Sequence, residues 1–290
     1  MIVALEVAAN TLTQGSVYVL TAIGLTMVYG LLGILHVAHA AVYTFGAWMG
    51  FLTWRATGSF WLALLAGGAA SGAAGVGIFE GVYRRIADRP KLVPLIASVG
   101  ILIVASAVFE RPFAIGTRRL PFRPDTGLPA LETDLVYVGP TGVALILVAA
   151  LVVAGLLVVF RRTRLGLDWR ALSMDAEMAE AIGIPARLSM NLAFFLGSFL
   201  AGLGGVLVSG YEGRVFAAMG DVVSYKAFIV VVLGGLGNVP GAIVAAYLLA
   251  FIESFAITVF GYVLPRDAIG FTLLILVLMF RPQGLFARGA

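Results

Sequence analysis

Long apolar runs broken by short polar or glycine-rich interruptions set the pattern of this chain. The runs fall at 11–34, 37–57, 60–82, 92–110, 137–160, 190–212, 222–260 and 268–280. A helix crosses the hydrocarbon core of a bilayer with about 20 mostly apolar residues. The pattern therefore predicts an all-α fold, a polytopic transmembrane helical bundle of about eight spans. The seventh run is too long for one crossing. Gly234-Gly235-Leu236-Gly237-Asn238-Val239-Pro240-Gly241 interrupts it, so it reads as two helical pieces about a non-helical turn, a broken or re-entrant segment. Such backbone survives at membrane depth only where protein or a water-filled cavity satisfies its amides.

Small residues crowd 66–77 (AGGAASGAAGVG) and 201–205 (AGLGG), a spacing that lets helices approach closely. Packing, not ligand contact, is the expectation there. A weak internal similarity aligns YGLLGILHVAHAAVY (29–43) with LGGLGNVPGAIVAAY (233–247), sharing Gly30/Gly234, Gly33/Gly237 and Tyr43/Tyr247 among others. In a chain rich in Gly and Ala chance also produces such matches. Interrupted segments at corresponding places in two halves nevertheless point to a transport site.

Composition agrees with a lipid environment. Only 12% of residues are charged and 61% are hydrophobic, too little polar surface to cover a soluble domain. The net charge is +4, and the basic residues sit in loop clusters, which argues against nucleic-acid binding. Cysteine is absent, which excludes disulfides and thiolate metal sites. The N-terminal MIVALEVAANTLTQG lacks a basic region and a cleavage motif, so a signal peptide is not expected.

Arg and Lys mark the cytoplasmic side of short loops. The clusters are Arg84, Arg85, Arg89 and Lys91; Arg161, Arg162, Arg164 and Arg170; and Arg281 and Arg288. All three share one side if the broken segment crosses in and out. The 111–136 loop then faces outward, although it carries Arg111, Arg118, Arg119 and Arg123, partly balanced by Asp125, Glu132 and Asp134.

Enzyme chemistry finds little support. The two lysines are followed by Leu92 and Ala227, so no P-loop can form. Two histidines, His36 and His39, complete neither a metal site nor a catalytic set. Polar residues in or beside apolar runs are the informative remainder: His36, His39, Tyr43, Asn191, Lys226, Asn238 and Glu253. Intramembrane polar groups are costly and so are candidates for function. Lys226 and Glu253, near run ends, read better as satisfied by a neighbouring helix or snorkelling. His36 and His39 flank a predicted helix break, and a cavity-lining role stands beside the plain structural one.

The polar stretch RRTRLGLDWRALSMDAEMAEAIGIPAR (161–187) has a short helix at its core. Asp175 can cap it, Glu177 lies in its first turn, and Gly183 and Pro185 end it. Met178, Ile182 and Met174 share one face at i, i+4 spacing, with Ala179 beside them. So short a helix needs a docking partner, and Asp175, Glu177 and Glu180 with no basic residue favour a protein over a lipid surface.

These residues resemble a known family. RRTRLGLDWRALSMDAEMAEAIGI is similar to the cytoplasmic loop of branched-chain amino acid ABC transporter permeases. LGGLGNVPGAIVAAYLLAFIES (233–254) and FRPQGLF (280–286) match its other hallmarks, and IGLTMVYGLLGILHVAHAAVYTFGAW (23–48) and FEGVYRRI (79–86) match more loosely. The chain departs where the family has Asn-Phe-Ala-His-Gly-Glu. Here the segment is His36-Val37-Ala38-His39-Ala40-Ala41, which leaves the solute open.

The resemblance implies one permease domain over 1–290 with a cytoplasmic coupling loop, 161–189. It implies a multi-pass protein of the bacterial inner membrane, without cofactor or metal, acting as the permease of an importer of branched-chain amino acids or a related small solute. It implies two ATP-binding subunits, a second and related permease, a periplasmic solute-binding protein and membrane lipid as partners, and no nucleic acid. The pathway residues expected are His36, His39, Tyr43, Gly234, Gly235, Gly237 and Asn238. The coupling residues expected are Asp175, Glu177, Met178, Ala179, Glu180, Ile182 and Gly183, with Ala179 entering the partner's groove. An ion-coupled secondary transporter is the alternative; it needs a deep carboxylate, and Glu253 comes nearest.

Overall fold

The computed structural model describes residues 2–111, 119–133, 136–261 and 265–286. Arg118, Asp134 and Arg288 fall outside them. Among the described residues the chain is built almost wholly of α-helices: α1 (Ile2–Leu32), α2 (His39–Thr57), α3 (Phe60–Gly81), α4 (Leu92–Glu110), α5 (Pro140–Arg162), α6 (Arg164–Met174), α7 (Ala176–Ala181), α8 (Ala186–Glu212), α9 (Met219–Gly234), α10 (Val239–Phe260) and α11 (Arg266–Phe280). A 3-10 turn (Tyr83–Ile86) extends α3.

Six helices are long and apolar enough to cross a membrane: α1, α3 with its extension, α4, α5, α8 and α10. At 1.5 Å per residue the 16-residue α9 and 15-residue α11 reach only about 24 and 22 Å, short of the ~30 Å core. The 19-residue α2 would nearly span it. The long run 222–260 does break, at Gly235–Asn238. Gly234 lies against Ala242, where an added Cβ would come within 2.6 Å of the Ala242 Cα, and Lys226 is ion-paired with Glu253. Both pairs join residues on opposite sides of the turn, one close to it and one well along both helices, so α9 and α10 form an antiparallel hairpin.

Glycine decides how closely the central helices pack. Gly46 of α2, Gly67 and Ser71 of α3, and Gly202 and Gly205 of α8 meet at one junction. A Cβ on Gly202 would fall 2.6 Å from the Gly67 carbonyl oxygen. The Ser71 hydroxyl donates to the Val42 carbonyl at 3.1 Å across the same junction. In lipid, where burying apolar surface between helices gains little, such backbone proximity supplies the packing energy. The packing reading of 66–77 and 201–205 thus holds. By contrast, α4 presents Ile96, Ile103, Val104 and Val108 outward, an apolar surface too extensive for water and suited to a bilayer.

A chain of contacts gathers the basic clusters at one end of the bundle. Arg187, at the start of α8, pairs with Glu80 at the end of α3, which also pairs with Arg84. Lys91 lies beside Gly33 at the end of α1. The Trp169 indole of α6 donates to the Ser189 carbonyl at 2.9 Å. The Leu285 amide, four residues beyond Arg281, donates to the Leu233 carbonyl at 2.8 Å. The opposite end carries two short antiparallel strand pairings. Leu120–Pro121 pairs antiparallel with Arg214–Val215 beyond α8, and Leu131–Thr133 pairs with Val136–Val138 ahead of α5.

Candidate functional site: a helix-break junction and a docking loop

Two helix breaks meet at the basic end. The first runs from Gly33 to Ala38 between α1 and α2, the second from Gly235 to Asn238 between α9 and α10. Gly33 (φ 63°) and Gly237 (φ 79°), aligned in the internal similarity, both take the left-handed conformation that glycine adopts without strain. The breaks touch: a Cβ on Gly237 would stand 2.9 Å from the Gly30 Cα. Asn238 is fully engaged in shaping the turn. Its Oδ1 accepts from the Gly241 amide at 3.1 Å to cap α10, and its Nδ2 donates to the Phe286 carbonyl at 2.6 Å. Gly284 packs against Gly235. The tail 281–286 therefore latches onto the second break, which explains in space why two separate motifs occur together.

Of the expected pathway residues, the structure brings His36 and His39 together and gives Gly234, Gly235, Gly237 and Asn238 turn-forming roles. The two imidazoles are 2% and 4% exposed, with ring centroids 5.9 Å apart and edge to face. His36 Nδ1 is 2.7 Å from the Tyr83 hydroxyl, and His39 Nε2 is 3.2 Å from the Thr21 carbonyl. The other nitrogen of each ring, His36 Nε2 and His39 Nδ1, has no partner among the described residues. Phe194 of α8 stands edge-on to His36 and, with Val28, Phe79 and Tyr83, forms a small apolar cluster beside it. Tyr43, one turn further along α2, lies against Gly204 with its hydroxyl also unpartnered.

The 161–189 loop, the expected docking element, forms two short helices rather than one before α8 begins. Thr163 Oγ1 accepts from the Gly166 amide to start α6, and Trp169 buries itself to anchor it on α8. Asp175 Oδ1 accepts from the Met178 amide at 2.9 Å and so caps α7 as expected. Gly183 (φ 91°) ends α7, with the Ile184 amide donating to the Ala179 carbonyl at 3.0 Å. Glu177 and Glu180 are exposed. One placement needs correction. Ala179 is not on the outer face: it is 2% exposed and packs with Leu172, Ala186, Leu31 and Ile184 in a core of the loop's own. At i, i+4 spacing the small side chain faces the bundle, which leaves Met174, Met178 and Ile182 outward at 88%, 61% and 70% exposure.

Two polar clusters escaped the sequence reading. Glu80 accepts from Arg187 Nε at 2.8 Å, Arg84 Nη1 and Asn191 Nδ2 at 2.7 Å. It ties the end of α3 to the first turn of α8. Lys226 and Glu253 neither snorkel nor meet backbone alone but pair with each other inside the bundle. The Tyr18 hydroxyl donates to Glu253 Oε2 at 2.6 Å, and Lys226 also reaches Asp267 at 3.3 Å and the Arg266 carbonyl at 3.2 Å. The signal available in the sequence was their opposite charge on the two arms of the glycine-rich break, which must pack together if the chain folds back there.

Residues 7–280 match the model of the family described as branched-chain amino acid transport system, permease component. The chain is 34% identical over 295 residues to the high-affinity branched-chain amino acid transport system permease protein BraD of Pseudomonas aeruginosa, covering 98% of this chain and 96% of that protein. It is 32% identical over 298 residues to the corresponding permease LivH of Salmonella typhimurium, covering 96% and 94%. A second permease of that organism, LivM, is 30% identical over 304 residues, covering 94% of this chain and 68% of LivM. No solved structure matches.

Proposed function

Since the chain belongs to the branched-chain amino acid transport permease family, we propose that it is one of two related permeases in a bacterial inner-membrane ABC importer. Its cargo is a branched-chain amino acid or a related small solute. Hydrolysis by two ATP-binding subunits drives it, a periplasmic solute-binding protein delivers the cargo, and the permease itself performs no chemistry. The similarity to two different permeases of one organism supports a heterologous partner over a second identical copy.

The observation that carries this reading is the outward face of the docking loop. Met174, Met178 and Ile182 are apolar, exposed and ringed by Asp175, Glu177 and Glu180, while the rest of the loop is fastened to the bundle through Trp169, Ala179 and Arg187. A rigid apolar knob outside the lipid suits a groove on a partner subunit. The basic clusters at the same end favour the cytoplasm. In this topology α2 and α11 cross as well, and within the α9–α10 hairpin α9 enters from outside as far as the break and α10 returns. The solute passes the junction of the two breaks, with His36, His39 and Tyr43 as its polar contacts.

Ile182→Glu tests the docking step, since it places a carboxylate in the proposed contact without touching the loop's core. The ATP-binding subunits should fail to co-purify while the permease still accumulates in the membrane; retention of both and normal uptake would defeat the reading. Against an ion-coupled carrier, the deep carboxylate Glu253 is already matched by Lys226 and Tyr18. Uptake should track ATP and survive an uncoupler.

A further inference from the structure

We propose that His36 and His39 form a two-point polar site of opposite hydrogen-bonding sense, suited to a solute that carries an N–H donor beside a carbonyl or carboxylate oxygen on an apolar stem. This deepens the pathway reading above and rests on it.

The polarity follows from the partners. A carbonyl oxygen only accepts, so His39 Nε2, facing the Thr21 carbonyl at 3.2 Å, must carry the ring proton. In the neutral ring Nδ1 is then a bare acceptor, and it is the nitrogen left without a partner. At His36 the partner is the Tyr83 phenol, 2.7 Å from Nδ1. A phenol is a stronger acid than a neutral imidazole, and the other hydroxyl beside it, that of Ser98, already accepts from the Ala38 amide at 2.9 Å and gives its own proton to the Tyr83 oxygen. Tyr83 therefore donates, and the His36 proton sits on Nε2, the second unpartnered nitrogen. Adjacent rings thus offer one unmet acceptor and one unmet donor.

Buried polar groups are nearly always paired, and two neighbouring exceptions at a helix break ask for a missing partner. Water alone would satisfy them, but the surroundings add a second feature. Val28, Phe79, Tyr83 and Phe194 form an apolar wall beside the pair, which suits an aliphatic side chain. No carboxylate pairs with either imidazole among the described residues; the nearby Glu80 is committed to Arg187, Arg84 and Asn191. An α-ammonium would therefore meet a neutral lone pair instead of an anion. An amino acid and its neutral amide share the chemistry the site reads. Both rings are closed off here, so the solute meets them when α8, carrying Phe194, moves away from the first break.

The chain has two histidines, which makes the test spectroscopic. The permease is labelled with nitrogen-15 histidine, assembled with unlabelled partner subunits in lipid nanodiscs, and assigned with His36→Gln and His39→Gln. The imidazole resonances should show His39 protonated at Nε2 and His36 protonated at Nε2. L-leucine or L-leucinamide should displace the bare His39 Nδ1 resonance, and 4-methylpentanoate, which lacks the N–H donor, should move only the His36 signal. A response to leucine alone assigns an amino acid and a response to leucinamide alone an amide, and either supports the site. A His39 ring protonated at Nδ1, or a His39 signal indifferent to both N–H-bearing probes, overturns it. Co-purified ATP-binding subunits and leucine-stimulated hydrolysis in the same samples report on the transporter reading separately. If those persist while the resonance stays fixed, only the site assignment fails.

Discussion

Removing one partner of the Lys226–Glu253 pair should cost more than removing both. The two side chains are 6% and 2% exposed, deep between α1, α9, α10 and α11. Breaking a buried pair leaves an uncompensated charge at a cost of about 3–5 kcal/mol, whereas an apolar pair of similar volume is often neutral. In Glu253→Leu, Lys226 retains the half-exposed Asp267 at 3.3 Å and the Arg266 carbonyl at 3.2 Å, so the cost belongs at the low end, about 3 kcal/mol. In Lys226→Met the carboxylate keeps the Tyr18 phenol as its hydrogen-bonded partner, and about 3–4 kcal/mol is expected. The double variant removes both charges; it strands the Tyr18 hydroxyl and takes the Lys226 ammonium from the Arg266 carbonyl, while the half-exposed Asp267 keeps water, a penalty of about 1–3 kcal/mol. The two changes should therefore be strongly non-additive, with a coupling of at least about 3 kcal/mol, a hundredfold or more in the unfolding equilibrium. The assay is equilibrium unfolding in mixed lipid–SDS micelles, followed by tryptophan fluorescence. Additive costs, or a double variant worse than either single one, would refute the buried-pair argument. ATP-driven uptake by a folded double variant would also remove Glu253 as a coupling carboxylate.

Other expectations follow from the loop and the breaks. Ala179→Arg should unfold the docking loop itself, because the residue lies in the Leu172–Ala186 core; increased proteolysis between 161 and 187 should accompany loss of the ATP-binding subunits, whereas Met178→Arg should lose them without added cleavage. Gly237→Val forces a side chain toward Gly30 at a backbone φ of 79°, so membrane-inserted protein should fall together with uptake; protein at normal levels with uptake abolished would instead point to a role beyond packing. A single cysteine at Ser173 should resist an impermeant reagent applied outside intact cells, and labelling there would reverse the topology.

The fold was legible where one-dimensional signals are strong. Apolar run length located the long helices, and the glycine cluster at 234–241 located the break, because a chain in lipid cannot leave backbone amides unmet without leaving a compositional mark. The capping Asp175 and the terminating Gly183 are local chemistry, readable from residues a few positions away. What escaped were contacts set by helix rotation. A six-residue helix such as α7 has too little length for periodicity to say which face turns inward, so Ala179 went to the wrong side. Glu80 meets Arg187 across more than a hundred residues, and no local pattern encodes that meeting.

The placement of Glu80 bears on how the docking loop could speak to the first break. Arg187 lies two residues beyond Pro185, where the loop passes into the first turn of α8, and it grips the last turn of α3 through Glu80. Three residues on, the 3-10 turn begins with Tyr83, whose hydroxyl holds His36. The Asn191 amide clamps the same Glu80 from the next turn of α8. A displacement of α7 by a partner therefore cannot leave α3 still unless this clamp yields, and partly exposed ion pairs yield cheaply. The clamp's double attachment, to Arg187 and Asn191 on successive turns of one helix, resists rotation of α8 about its axis better than a single pair would. That stiffness is what a short lever needs if movement at Met178 and Ile182 is to reach the histidine pair instead of dissipating in the loop.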